Sequence, residues 1–198
     1  SMIKLIQYNL SYKKYLIFGV LLELLILLYF YLIMDNYGDI FRYVARYSGR
    51  LSLIIYLFCF YQYVCSFERL KNIQNTKTAV SIFCILHLIH FVFLVLSLYF
   101  NELPLIPFKI AGGFLAYIFI IIYPLIIDKI SKSIYHIIYF YYVGIVMLMT
   151  YIARIRGEFI GAEPELFHYV ALILLLIAFL FFGYLIFSHL RKTKKFRF

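Results

Sequence analysis

Six stretches of this chain are apolar for long enough to cross a lipid bilayer, and that leaves few folds open. They run near residues 15–34, 51–67, 79–100, 107–127, 133–153 and 167–188. A helix needs about 20 such residues to span the hydrocarbon. The connections are short, with no linker and no low-complexity tail. The expectation is a single all-α integral membrane domain over residues 1–198, a six-transmembrane-helix bundle. The chain is 66% hydrophobic and only 14% charged, with mean hydropathy +0.95. Soluble domains are closer to half apolar and a quarter charged, so the excess points to membrane. The length leaves no room for a soluble catalytic domain. Ser1 ahead of Met2 reads as a remnant of expression. The first run lacks a cleavage site made of small residues and reads as a span, not a removable signal.

The basic residues set the orientation. Thirteen of the 19 lysines and arginines fall at the two chain ends and in the second and fourth loops, for example Lys13, Lys14, Lys77, Lys129, Lys132 and Arg191. The other side holds Arg42, Arg46, Arg50, Lys109, Arg154 and Arg156, together with six of the acids. The positive-inside rule then puts both termini in the cytoplasm, and a bacterial cytoplasmic (inner) membrane is the expected location. The net charge of +10 is therefore no sign of nucleic-acid binding. The tail RKTKKFRF more simply anchors the last helix at an anionic leaflet.

The segment FCILHLIHFVF, residues 83–93, sinks two histidines into an apolar run. Counted from a helix start near residue 79, His87 lies roughly 12 Å and His90 roughly 16 Å into the span. His136 lies roughly one to two turns into the fifth span. All three fall in the cytoplasmic leaflet, and His87 and His90 share a helix face at i, i+3. Each ring has a plain use as a hydrogen-bond partner for a backbone carbonyl or a Tyr hydroxyl. Polar groups within a membrane are nonetheless scarce and usually functional. Imidazoles on facing helices suit a b-type haem, the porphyrin filling an apolar slot between them. Zinc or di-iron fits less well, because no Asp or Glu lies near these histidines in the spans. His168 and His189, at the ends of the sixth span, read as interfacial.

The segments RYSGRLSLIIYLFCFYQYV (46–64), NTKTAVSIFCILHLIHFVFL (75–94) and DKISKSIYHIIYFYYVGIV (128–146) resemble the second, third and fifth helices of ferric reductase-like transmembrane proteins. That family includes the haem-binding membrane subunit of the methionine sulfoxide reductase system. The resemblance covers about 40–188. It implies a bis-histidine haem b between helices three and five, held by His87 or His90 with His136, and one-electron transfer as an oxidoreductase subunit. Many relatives carry outer histidines further along both helices. Here Phe100 or Asn101, and Met149 or Thr150, stand at those places, so one haem is expected and not two. With no flavin or nicotinamide domain, the electron donor is a quinol, a diffusible flavin or a partner reductase.

Other polar residues carry two readings each. Glu23 in the first span is either a hydrogen-bonded acid facing the bundle or a proton or quinone site, with Gln62 as a candidate partner. Arg42, Arg46 and Arg50 recur every four residues and form one stripe if helical. That stripe is either a headgroup-facing edge along the outer interface or an anion or partner site. GEFIGAEPELF, at 157–167, is a turn-rich loop and a docking place for a periplasmic partner. Gly112 and Ala116 read as a helix-packing pair. Cys59, Cys65 and Cys84 form no CxxC and read as apolar filler. No nucleophile constellation or phosphate loop is present. Beside the haem carrier stand a haem-free scaffold, partner-binding or small-solute transport protein of the same fold, and a membrane-embedded enzyme acting on lipid through Glu23 or the outer arginines.

Overall fold

The computed structural model describes residues 10–69, 73–104, 107–159 and 163–193. Lys4, Lys71, Gly161 and the basic tail from Lys194 lie outside them. Six long helices follow one another: α1 (Tyr12–Ile33), α2 (Tyr37–Arg69), α3 (Ile73–Phe100), α4 (Pro107–Ile126), α5 (Ser133–Ile155) and α6 (Leu166–Thr193). A 3-10 turn, Ile127–Lys129, follows α4. Every regular element among the described residues is helical. Five of them, α1 and α3 to α6, are long and apolar enough to cross a membrane. The chain therefore has the character of a membrane protein.

Helix α2 is the departure from expectation. The stretch 39–50 is not a separate interfacial segment. It is the first half of one 33-residue helix that continues through the apolar run 51–67. At 1.5 Å per residue it is about 50 Å long. Its start is held by Asn36, whose Oδ1 accepts the Gly38 N–H at 2.7 Å, an ordinary N-cap. Neighbouring helices alternate in direction: Phe30 of α1 stacks on Tyr43 of α2, and Ser52 and Tyr56 of α2 meet His87 and Phe83 of α3. The bundle thus has a distal end, with residues 34–36, 101–104, 156–159 and 163–165, and a proximal end, closed by the Lys77–Asp128 ion pair.

Helix α2 is central, packing on α1, α3, α5 and α6. Around its second half the core is aromatic. Phe60 stacks on Phe140 at 5.1 Å, Tyr63 on Phe140 at 4.9 Å, and Phe182 meets Phe60 edge-on at 4.8 Å. Tyr123 stacks on Tyr139 at 3.6 Å. Buried tyrosine hydroxyls need partners, and several reach backbone carbonyls on other helices. Tyr56 donates to the Phe140 carbonyl at 2.6 Å and Tyr141 to that of Phe179 at 2.9 Å. The outward faces stay apolar, as lipid requires; α1 buries only Gly19, Glu23 and Phe30 and exposes Phe18, Leu25 and Leu32. Cys59 and Cys65 are buried in the aromatic core.

The glycines divide by environment. A Cβ on Gly144 would lie 2.6 Å from Cε1 of Phe179 and closer still to the Tyr56 hydroxyl. Gly112, expected to pack a helix pair, is exposed and meets nothing within 4 Å, although Ala116 is buried. Gly144→Ala is therefore expected to destabilise the detergent-solubilised protein by about 1–3 kcal/mol through overpacking, while Gly112→Ala leaves it unchanged. Thermal unfolding of the two variants checks this; equal melting temperatures would contradict the packing described.

Candidate functional site

Charge concentrates where the distal half of α2 meets the ends of α3, α5 and α6. Arg42 bonds Asp39 on its own helix at 3.1 Å and the Asn101 side chain at the end of α3. Asn101 in turn donates to the Gly38 carbonyl at 2.8 Å, tying α3 to α2. One turn further, Arg46 and Arg50 grip one carboxylate, each bonding a different oxygen of Glu165. The Arg46 and Arg50 side chains are only 10% and 17% exposed, against 32% for Glu165. Arg50 is also sandwiched between aromatic rings, its guanidinium carbon 4.2 Å from the Tyr47 centroid and 4.6 Å from that of Phe167. Arg154, half-buried near the end of α5, lies within electrostatic reach of Arg46, Arg50 and Glu165. The stripe faces into the bundle and is not a headgroup-facing edge.

Glu165 is placed by local capping. It precedes the first residue of α6, and its N–H donates to Nδ1 of His168 at 3.0 Å, half of a reciprocal capping arrangement. That hydrogen bond leaves the proton of a neutral His168 ring on Nε2. His168 is fully buried. The Glu165 carboxylate projects at the N-terminus of a 28-residue helix, where the aligned peptide dipoles favour negative charge. A cavity of about 760 Å³ opens beside it, lined by Met34, Asp35, Asp39, Arg42, Arg46 and Glu165 among others.

A second polar group continues deeper between α1, α2 and α3. The Ser48 hydroxyl donates to Oε1 of Glu23 at 2.8 Å, and both side chains are buried. Gln62, fourteen residues beyond Ser48 on α2, is about 21 Å further along the axis and is not the partner of Glu23. Gly49, next to Ser48, makes room for His90: a Cβ there would sit 3.1 Å from Cε1 of the ring. His87 follows, its Nδ1 2.9 Å from the Ser52 hydroxyl and its ring stacked on Tyr117 at 4.8 Å.

His136 belongs to a different neighbourhood. Its Nδ1 is 2.7 Å from the Tyr123 hydroxyl, and its ring lies 5.6 Å from Tyr63. Two axial imidazoles on one iron bring their ligating nitrogens to about 4 Å apart, from metal–nitrogen bonds of about 2 Å each. Here His87 meets α2 at Ser52 and His136 meets it at Tyr63, eleven residues and about 16 Å further along the axis. The rings of Tyr56, Phe60, Phe83 and Phe140 pack against one another between them. His87 and His90, with ring centroids 5.4 Å apart, project from one helix face and cannot ligate a macrocycle from opposite sides. These residues do not fit a haem b held between α3 and α5. The expectation of matching depth failed because α3 begins at Ile73 rather than near 79. His87 is fourteen residues into its helix and His136 only three into α5.

Of the residues singled out in the sequence, the structure gathers Arg42, Arg46 and Arg50 at one site, places Glu23, His87 and His90 along the adjoining polar seam, and sets His136 apart. Reading the sequence gave no role to Glu165, Ser48 or Ser52, and placed His168, Asn101 and Arg154 without bringing them to this site. One signal for Glu165 was available: an acid directly before an apolar run, with a polar partner three residues on. No family model, curated protein or solved structure matches the chain. The ferric reductase-like resemblance therefore stands on its quoted segments alone.

Protein purified from cells supplied with haem is expected to show no Soret band. A band that shifts on dithionite reduction and disappears in His136→Ala would contradict the geometry above.

Proposed function

We propose that the chain is a six-span membrane protein with both termini in the cytoplasm, which binds an anionic group, phosphate or carboxylate, at its outward-facing distal end. It is the haem-free binding or small-solute transport protein among the readings open from sequence, and no electron donor is called for. The distal end is taken as the outside because the charge bias puts most basic residues at the other end.

One observation carries the reading. Two guanidinium groups, Arg46 and Arg50, share the carboxylate of Glu165, and Arg154 lies within electrostatic reach of all three. Two positive charges are left unmatched there, and an uncompensated ion away from water costs several kcal/mol. Nε of Arg46 and of Arg50 is buried without a partner. An entering anion supplies both the missing charge and the missing acceptors. Arginine suits this role, since its planar fork of donors matches the oxygens of carboxylate and phosphate. Glu165 acts as the resident counter-ion that the ligand displaces or joins. The acids at the cavity mouth do not cancel the site: Asp39 is paired with Arg42, and Asp35 and Glu163 are exposed, where salt screens them.

Two sources of such a group are separable. The protein is reconstituted in nanodiscs of phosphatidylcholine alone or with phosphatidylglycerol, each with and without inorganic phosphate. Stabilisation of about 5 °C in melting temperature is expected at saturation. A rise on adding phosphate in the neutral lipid marks a soluble ligand; a rise from phosphatidylglycerol alone marks a lipid headgroup. Either rise should be lost in Arg50→Gln. No rise in any arm, or an equal rise in the variant, would overturn the reading.

A further inference from the structure

The deeper polar group holds two buried atoms that nothing satisfies: Oε2 of Glu23 and Nδ1 of His90. Packing puts them in one layer. Gly19 of α1 sits against Leu86 of α3, where an added Cβ would run into the leucine Cδ1. Helices α1 and α3 run in the same direction, so one turn beyond that contact lie Glu23 on α1 and His90 on α3. Helix α2 confirms the level from its own side. Ser48 bonds Glu23, and the next residue, Gly49, receives the His90 ring. On α1, Glu23 occupies the one narrow stripe that turns inward.

We propose that Glu23 and His90 form a proton-binding pair within the membrane, which holds one exchangeable proton between carboxyl and imidazole. The chemistry follows from the two orphan atoms. A Glu23 carboxylate here has one hydrogen bond, from Ser48, and no neutralising cation in its own layer. A protonated Glu23 has a hydroxyl on Oε2 that needs an acceptor. Neutral His90, in the same layer but not in direct contact, offers one at Nδ1 through a bridging water. One proton thus satisfies both atoms, and without it both are stranded at the cost of buried unpaired polar groups. On loading, a hydronium ion gives its proton to the carboxylate and leaves as water. The pair goes from one negative charge to neutral, and unloading is the reverse.

The groups facing the pair are Ser48 and Ser52 from α2, His87 from the same face of α3, and Arg154 from α5, whose charge reaches His90. Arg154 also lies within electrostatic reach of Arg46, Arg50 and Glu165. The pair itself stands independently of the anion reading.

Infrared difference spectroscopy of the whole protein, titrated with acid and base in lipid, tests this directly. A carboxylic acid carbonyl band assigned to Glu23, by its loss in the isosteric Glu23→Gln, should appear reversibly as the pH is lowered. In His90→Asn the midpoint should move by at least one pH unit, a tenfold change in proton affinity. Should that variant fail to fold, the reversible band of the unaltered protein remains a test by itself. A Glu23 band constant from pH 4 to 10 would mark a permanently protonated structural acid and overturn the proposal. So would absence of the band throughout, or a midpoint indifferent to His90.

Discussion

A single carboxylate shared by two arginines fastens the distal half of this molecule. Glu165, at the head of α6, bonds Arg46 and Arg50, and so fixes how the long central helix α2 meets its last neighbour. Without that anchor the first half of α2 would have no reason to turn three guanidiniums inward. Like charges four residues apart on a helix repel weakly, and lipid headgroups or water would host them at lower cost. The carboxylate, the helix dipole behind it and the Tyr47 and Phe167 rings together make the inward orientation tolerable. They do not make it neutral, and from that residual positive charge the ligand reading follows.

The molecule is divided along α2. Its second half is packed by stacked aromatic rings, and the Tyr56 and Tyr141 hydroxyls there bond backbone carbonyls on neighbouring helices. Its first half is a seam of arginine, serine and glycine that admits Glu165, Glu23 and His90 between the helices. Gly49 shows how closely sequence and site are coupled. A side chain there would press on the His90 ring, which would have to give by a few tenths of an ångström. The aromatic half gives rigidity, and the polar half is where exchangeable protons and ligands find partners.

The helices were legible because apolar runs of the right length have one physical outcome in a bilayer; α4, α5 and α6 begin within a residue of where the runs placed them. Helix α2 was legible only in its apolar half. Hydropathy reads arginines as an end to burial, whereas the partner that lets them stay inside lies 115 to 119 residues away. The arginine spacing was visible, but not its direction. The histidines failed for a related reason. Depth along a helix depends on where it starts, and the polar first turns of α3, from Ile73, are indistinct in an apolar count. Moreover, α3 packs on α1, α2 and α4, and α5 on α2, α4 and α6, so shared depth would not by itself have made His87 and His136 neighbours.

The shared carboxylate is best examined by a double-mutant cycle between Arg50 and Glu165. Arg50→Gln, Glu165→Gln and the double variant are compared with the unaltered protein by reversible unfolding in micelles. Close charge pairs in one network couple by about 0.5–3 kcal/mol. The account predicts a coupling of at least about 1 kcal/mol in this range, with the double variant more stable than the sum of the single losses allows. Strictly additive losses would show that α2 and α6 are not joined through this pair, and the inward-facing arginine site would fall with it.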